Sequence, residues 1–443
     1  MANAFVRKEW KNVLTYFALK EFVKELPETP EAKKNVKKLQ DKHVHQLMKR
    51  AYEIPFYRER FDRCGLTPDD FHSAEDMYKF PIMTRADLRS WMDQVYREHP
   101  EQRKNWEIFK TSGSSGIPLR FMVSYEDHAR VNANWIRVTM MGGHKPYTEK
   151  MLTFLTTHSD VDPKKGDSFV QKLGFLRRRI VPEHLYVGEG MRDLIELVND
   201  YEPDMLCFRK NVLLRMASYA KQHDMQIFQP KVYTPVSEMV DDLTRKIFLE
   251  TYGPGLLDAY GCNEIGSMAV MTPHHDDFYV LSDSHVVNIV DDDGNPADNG
   301  KVIATTLYKR DFPIINYEVG DRAETEVRDG LRYITRIMGR TNDMVEHANG
   351  TQTSAIEIMK MPNGITGILQ FRYIQEDYDH IRILLVKDPA EDTATKEEIE
   401  AFYHKKFVEL FGYEEFKLTF EWLDEIPPDE NGKMRCFICN VKK

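Results

Sequence analysis

The feature that most constrains the fold is an alternation of short apolar runs and amphipathic helical patterns between about residues 150 and 260. The apolar runs have the length and character of buried strands, and helical patterns separate the last three of them. They are MLTFL (151–155), DMLCF (204–208), KVYTPV (231–236) and GLLDAYG (255–261). Strands that alternate with helices of about 10–15 residues are typical of βαβ units, so this region predicts a largely parallel sheet.

The segments on either side have different patterns. In residues 1–110, apolar residues recur at helical spacing, which predicts a mainly helical lead-in. After residue 275, Asp-Gly and Asn-Gly turn signals lie between β-branched runs, as in hairpins. Beyond GRTNDMVEHANG (339–350) come two strand patterns, a helix that opens with the capping box Thr395–Glu398, and another strand pattern.

The predicted fold class is therefore α/β, with mixed and parallel sheets in a large N-terminal domain and a small C-terminal α+β domain. We place the large domain at residues 1–340, including the helical lead-in 1–110, and the small, mobile domain at 341–443.

Composition excludes several classes of partner. The 443 residues carry a net charge of −10, so no broad attraction to nucleic acid or to an acidic membrane surface is expected. No run approaches the ~18 apolar residues of a spanning helix. The five cysteines are odd in number and irregularly spaced, which favours a reducing, cytoplasmic setting.

The stretch TSGSSGIPL (111–119) combines hydroxyl-bearing residues with two glycines and suits neither a helix nor a strand. Glycine-rich loops leave main-chain N–H groups that can converge on phosphate oxygens. The stretch has neither the GxxxxGK[ST] pattern of a Walker A loop nor the GxSxG pattern of a nucleophile elbow. Taken alone, it is more typical of a surface loop than of a phosphate cradle.

Four further short motifs follow it, and each is ordinary by itself. They are YGCNEIG (260–266), YEVGDR (317–322), GRTND (339–343) and ENGKMR (430–435). Tyr260 offers a ring that could stack on a base, and Glu264 offers a carboxylate suited to Mg²⁺. Asp321 could accept hydrogen bonds from two ribose hydroxyls. The order of these motifs along the chain carries more information than any one of them.

In this order the motifs resemble the adenylate-forming superfamily of acyl-CoA synthetases, luciferases and peptide-synthetase adenylation domains. The phenylacetate–CoA ligase branch is the most similar. Residues 54–89, IPFYRERFDRCGLTPDDFHSAEDMYKFPIMTRADLR, resemble the opening PFY…LP…TK.DLR pattern of that branch. The resemblance extends from about residue 45 to the end of the chain.

The resemblance implies a reaction and roles for particular residues. A carboxylic acid attacks the α-phosphate of ATP to give an acyl-adenylate, and a thiol, commonly coenzyme A, then takes the acyl group. Glu264 is implied as a catalytic residue and the Mg²⁺ ligand, and Lys433 as the catalytic lysine that bridges the carboxylate and the α-phosphate. The implied nucleotide contacts are Thr111, Ser112, Gly113, Ser114, Ser115, Gly116, Tyr260, Gly261, Asn263, Asp321 and Arg340.

Three positions depart from the family pattern. Ile117 stands where many members have a lysine in the phosphate loop, and Asn263 stands where threonine or serine is common. Asn342 occupies the place of the hinge aspartate, about which the small domain would rotate to withdraw Lys433.

The acyl pocket is the least readable part of the site. The resemblance nominates Trp135, Tyr233, Pro235 and Ser237, with Arg137, Phe154 and His158 as further candidates. Aromatic side chains here would suit a flat aryl acid, although aromatics at strand ends are more often plain core.

The residues His274 and His275, with their acidic neighbours, raise the question of a metal site. We favour a solvated polar loop over zinc, because structural zinc takes four ligands, commonly thiolate-rich, and Cys262 is the only nearby thiol.

The sequence thus predicts a cytoplasmic, AMP-forming acid–thiol ligase that uses ATP, Mg²⁺ and coenzyme A, most similar to aryl- or acyl-CoA ligases. One alternative keeps the adenylation but uses an amine or a carrier protein as acceptor. Another is a non-catalytic descendant that binds a nucleotide or an acyl ligand. The identity of the carboxylic acid, the acceptor, the pathway and the oligomeric state stay open, with a homodimer expected only by analogy with similar ligases.

Overall fold

The protein divides into two compact units, and each is assembled from two separate segments of the chain. Unit 1 contains Met1–Gly142 and Ala259–Met338, and unit 2 contains Gly143–Asp258 and Gly339–Lys443. The computed structural model describes residues 14–110, 119–154, 173–174, 177–186, 190–236, 238–340, 344–348, 352–359, 361–388, 394–411, 417–427 and 435–441. The independent mobility of residues 341–443 stays a prediction.

The helices of unit 1 begin where local chemistry requires. They are α1 (Pro30–Ala51), α2 (Pro55–Cys64), α3 (Arg85–Glu98) and α4 (Tyr125–Met141). Thr29 caps α1 by accepting from the Ala32 N–H at 3.1 Å, and proline occupies the first helical position. Thr84 and Asp87 form a capping box at the start of α3, which fixes where the first residue of that helix lies.

The sheets of unit 1 are a hairpin and a seven-stranded sheet whose described pairings are antiparallel. The hairpin joins β1 (Trp106–Lys110) and β2 (Arg120–Ser124). The large sheet has the strand order β10-β11-β12-β13-β9-β8-β7. Its strands are β7 (Asp258–Cys262), β8 (Gly266–Met271), β9 (Phe278–Val280), β10 (His285–Val290), β11 (Asn299–Thr306), β12 (Tyr317–Arg328) and β13 (Leu331–Arg340).

The first segment of unit 2 contains the predicted parallel sheet. Its strand order is β4-β3-β5-β6, and each described pairing is parallel. The strands are β3 (Met151–Phe154), β4 (Arg178–Val181), β5 (Met205–Arg209) and β6 (Val232–Val236). The helices are α5 (Glu183–Tyr186), α6 (Met191–Tyr201), α7 (Lys210–Gln222) and α8 (Asp242–Tyr252).

The strand prediction for GLLDAYG was wrong in part. Leu256 forms only an isolated parallel bridge with Tyr233, and the strand proper begins at Asp258 and lies at the edge of the antiparallel sheet. Gly255 passes so close to β6 that a Cβ atom there would lie 2.4 Å from the Lys231 carbonyl oxygen. The chain therefore forms one isolated bridge to the parallel sheet before it enters the antiparallel sheet.

The second segment of unit 2 forms a small α+β layer, as the sequence predicts. Its four-stranded sheet has the order β18-β17-β16-β19. The elements are β14 (Met344–Glu346), β15 (Gln352–Ser354), α9 (Ala355–Met359), β16 (Ile368–Asp377), β17 (His380–Lys387), α10 (Lys396–Phe411), β18 (Lys417–Trp422) and β19 (Phe437–Cys439). The predicted capping box forms, since the Thr395 N–H donates to Glu398 at 2.8 Å and the Glu398 N–H donates to Thr395 Oγ1 at 3.2 Å.

The two segments of unit 2 share one apolar core. Leu369, Leu384 and Val386 of the small sheet belong to the same buried cluster as Leu206 and Phe208 of β5. The presence of parallel and antiparallel sheets with helices confirms the predicted α/β class. Within the described part of the chain, no helix is both long enough and apolar enough to cross a membrane.

A buried ion pair ties helix α4 to the loop before β10 in unit 1. Arg137 donates from Nη1 to both oxygens of Asp283, at 2.7 and 2.6 Å, and both side chains are almost fully buried. Asn134 accepts from Arg137 Nε at 2.9 Å, and the Val23 N–H donates to Asp283 at 3.0 Å. These partners replace the water that both charges lose on burial.

We predict that Asp283→Asn lowers the free energy of unfolding by about 3 kcal/mol, because it leaves the Arg137 guanidinium buried without a counter-charge. Urea denaturation followed by tryptophan fluorescence measures the change. The matched control is Asp329→Asn, which removes a similar carboxylate from an exposed pair with Lys33 at 2.7 Å. Its cost should stay below about 1 kcal/mol. Equal losses in the two variants would contradict a special role for the buried pair.

Candidate functional site

The turn between β7 and β8 carries the acidic residue of the YGCNEIG motif. The two strands approach so closely that a Cβ atom on Gly261 would lie 2.1 Å from the Gly266 carbonyl oxygen. Gly266 has φ +85°, and a Cβ atom there would also lie 2.8 Å from the Tyr308 hydroxyl. Only glycine fits at these two positions. The two glycines therefore allow the tight turn that determines the position of Glu264.

The Glu264 side chain is buried and held in one orientation. Its residue is 4% exposed, and its Oε1 atom accepts a hydrogen bond from Arg85 Nη1 at 2.9 Å. The Tyr317 hydroxyl lies 3.5 Å from the same oxygen. Arg85 is the first residue of α3, so the capping box of that helix also positions the cation beside Glu264.

The main-chain carbonyl groups of the same turn accept hydrogen bonds from buried side chains of unit 1. Lys309 Nζ donates to the Glu264 carbonyl oxygen, and the Tyr308 hydroxyl donates to the Ile265 carbonyl oxygen at 2.9 Å. Burial lowers the pKa of Lys309 to about 8 and raises the pKa of the Cys262 thiol well above its usual range.

Tyr260 and Asp321, predicted as adenine-side and ribose-side residues, contact each other in unit 1. The Tyr260 hydroxyl donates to Asp321 Oδ2 at 2.9 Å, while the Tyr260 ring makes an edge contact with Phe278. Asp321 follows Gly320, whose φ of +90° turns the chain at this point of β12. The structure thus brings together residues that lie 61 positions apart in the sequence.

The remaining predicted nucleotide contacts divide into placed and unplaced residues. Asn263 is exposed on the turn beside Glu264, and Arg340 ends β13. The hairpin β1–β2 flanks the predicted phosphate loop. The predicted residues that lie outside the described residues are Thr111, Ser112, Gly113, Ser114, Ser115, Gly116, Ile117, His158, Ser237, Asn342 and Lys433.

The described pocket candidates make core contacts within their own units. Tyr233 is fully buried on β6, donates to the Gly253 carbonyl oxygen at 3.0 Å and packs against Tyr252. Pro235 is buried on the same strand, and Trp135 is half-buried on α4.

Two further candidates also have structural partners. Phe154 is buried at the end of β3, where the Arg209 guanidinium lies over its ring at 5.5 Å, and Arg137 pairs with Asp283. A role for any of these residues in the acyl pocket stays a prediction.

The residues near Glu264 fit a magnesium ion that arrives with a nucleotide. Mg²⁺ is usually held by one or two carboxylates together with substrate phosphates and water, rather than by a cage of protein ligands. Among the described residues, no group of three or more histidine, cysteine or acidic side chains could hold a metal. The Glu264 carboxylate is the group on this turn whose chemistry would suit such an ion.

His274 and His275 are exposed on the loop after β8. His275 Nδ1 lies 2.7 Å from the Thr272 hydroxyl, which is an ordinary loop contact.

Several known proteins are similar to this chain. The model of the CapK C-terminal domain matches residues 345–440. The phenylacetate-coenzyme A ligase of Escherichia coli (strain K12) is 27% identical over 347 residues, which cover 69% of this chain and 71% of the relative. Protein CapK of Staphylococcus aureus is 23% identical over 417 residues, which cover 87% of this chain and 85% of the relative.

The solved structures agree in fold. The 2-hydroxyisobutyryl-CoA ligase in the postadenylation state superposes with a TM-score of 0.72 at 18% identity, over 94% of this chain and 91% of that one. The sequence relatives bear out the predicted resemblance to the phenylacetate–CoA ligase-like branch of the adenylate-forming superfamily. The superposition confirms the predicted acyl-CoA synthetase-like fold.

The sequence patterns missed the residues that hold Glu264. Arg85 lies in the MTRADLR pattern, which gives no indication of its partner. Lys309 is followed directly by Arg310 and Asp311, so its charge alone does not mark it as buried. The sequence also gives no signal for the carbonyl oxygen that its amine contacts.

We predict that Gly261→Ala destabilises the protein by about 2 kcal/mol, because the new methyl group overlaps the Gly266 main chain and forces β7 and β8 apart. Thermal unfolding measured by circular dichroism tests this. Asn263→Ala in the same turn is the control, since Asn263 is exposed and its truncation should leave the melting temperature unchanged. A Gly261→Ala variant as stable as the control would show that the strands can separate without cost.

Proposed function

We propose that the protein is an ATP- and Mg²⁺-dependent, AMP-forming ligase that converts a carboxylic acid to an acyl-adenylate and transfers the acyl group to coenzyme A. The observation that carries the proposal is the fixed Glu264 carboxylate at the β7–β8 turn of an adenylate-forming fold, together with the Tyr260–Asp321 pair. The phenylacetate-coenzyme A ligases among its relatives support both half-reactions.

The charges around the turn explain why a divalent cation belongs to this reaction. A carboxylate alone would repel the triphosphate, so Glu264 becomes useful when a cation lies between them. Bound Mg²⁺ supplies charge neutralisation for the departing pyrophosphate. Arg85 fixes one carboxylate oxygen, which limits the directions in which Glu264 can ligate.

The Tyr260–Asp321 pair suits a ribose. Asp321 is an acceptor-only group when ionised, and its Oδ2 atom already accepts from Tyr260. A carboxylate can accept several hydrogen bonds, and ribose hydroxyls are donors of the right kind. In this arrangement the Tyr260 hydroxyl would hold the Asp321 carboxylate, and the Tyr260 ring would lie on the side of the adenine base.

The proposal includes roles that rest on the family resemblance. Lys433 bridges the attacking carboxylate and the α-phosphate, and residues 111–116 hold the β- and γ-phosphates. Arg340 contacts the ribose, and residues 341–443 rotate about Asn342 between the two half-reactions. We also propose a cytoplasmic location and a homodimer, by analogy with similar ligases.

We predict Mg²⁺-dependent ATP–pyrophosphate exchange with one class in a panel of aryl, fatty and amino acids. Lys433→Ala and Glu264→Gln should each reduce exchange by about 100-fold or more, the loss seen when a group that stabilises transition-state charge is removed. Lys405→Ala is the matched control, because Lys405 is an exposed lysine on α10 whose side chain is 76% exposed.

The acceptor is then read from the second half-reaction. AMP release that depends on coenzyme A supports the thiol ligase, whereas release that requires an amine or a carrier protein would replace that part of the proposal. Binding of MgATP without exchange for any acid would favour a non-catalytic role.

A further inference from the structure

Lys309 is a buried lysine in unit 1 with an unusual hydrogen-bond partner. It is 2% exposed, and its amine donates to the main-chain carbonyl oxygen of Glu264 rather than to a carboxylate. Its neighbour Tyr308 donates in the same way to Ile265 at 2.9 Å. Two consecutive side chains therefore hold two consecutive carbonyl groups of the turn. A buried ammonium group is costly, so an ordinary core position would not retain one.

The segment that carries Lys309 is itself anchored by a buried acid. Asp127, on α4, accepts hydrogen bonds from the Arg310 N–H and the Asp311 N–H at 2.9 Å, and it pairs with Arg130 at 3.2 Å. These bonds fix the main chain immediately after Lys309. The path from α4 to the Glu264 turn thus consists of specific polar contacts.

The groups that face Lys309 come from five elements. They are Asp127 on α4, Cys262 on β7, Glu264 on the turn, His285 on β10 and Phe121 on β2, whose ring lies 5.8 Å from the amine. Burial lowers the pKa of His285 to about 3 and raises the pKa of Cys262 well above its usual range.

We propose that Lys309 is a positioning residue for Glu264, which acts through the main-chain carbonyl to keep the carboxylate in the orientation that receives nucleotide-bound Mg²⁺. This inference rests on the proposed function. It adds that the magnesium site depends on a buried amine that touches neither the metal nor the nucleotide.

Isothermal titration calorimetry with ATP, in Mg²⁺ and in EDTA, tests the proposal. The quantity of interest is the gain in ATP affinity that Mg²⁺ provides. Lys309→Met should reduce this gain by about 10-fold, which is the effect of losing one charge-assisted hydrogen bond, and should leave ATP affinity in EDTA unchanged. Glu264→Gln should reduce the gain at least as much, and adding Lys309→Met to it should cause little further loss.

The comparison of Mg²⁺ with EDTA separates positioning from general structural support, because a residue that only supports the fold would change ATP affinity under both conditions. Tyr308→Phe removes only the bond to Ile265, so it is a milder variant that serves even if Lys309→Met fails to fold. It should show a smaller loss of the Mg²⁺ gain in the same direction.

Three results would overturn the inference, and they differ from one another. Equal losses of ATP affinity in Mg²⁺ and in EDTA would show that Lys309 only supports the fold. A loss of the Mg²⁺ gain in Glu264→Gln but not in Lys309→Met would remove Lys309 and leave the proposed function intact. Absence of any Mg²⁺-dependent ATP binding in the wild-type protein would remove the proposed function itself.

Discussion

The placement of Glu264 depends on contacts at both ends of the same residue. Arg85 fixes the carboxylate at 2.9 Å, while Lys309 fixes the carbonyl oxygen from the interior. Both contacts are possible because Gly261 and Gly266 of the YGCNEIG motif have no Cβ atom. The main chains of β7 and β8 can therefore lie in close contact. A single acidic side chain is thereby held in one orientation by contacts from its own unit.

Several parts of this architecture follow from local chemistry and were predictable. The strands β5 and β6 are short, apolar and separated by a helical pattern, so their parallel pairing could be predicted from that alternation. The helix α10 begins where the Thr395–Glu398 capping box requires. The order of the motifs along the chain was sufficient to predict the family, since a fixed order of sites reflects a fixed topology.

Other parts depend on distant contacts that periodicity does not encode. The chain at 255–261 has the apolar composition of a parallel strand, yet close packing of Gly255 on the Lys231 main chain sends it to the other sheet. The partners of Glu264 lie 179 and 45 positions away. A sequence shows that Arg85 and Lys309 are charged, but only the fold decides which atoms they reach.

The construction of each unit from two segments has a consequence for synthesis of the protein. The apolar face of the β3–β5–β6 layer shares its core with Leu369, Leu384 and Val386, which leave the ribosome more than a hundred residues later. Until then, that face lacks the partner that covers it, so the nascent chain carries exposed apolar surface for many seconds at ordinary rates of translation. Pairings of this sequence separation also slow folding itself. We therefore expect the yield of native protein to depend strongly on temperature and chaperone supply during expression, even though the finished fold is well packed.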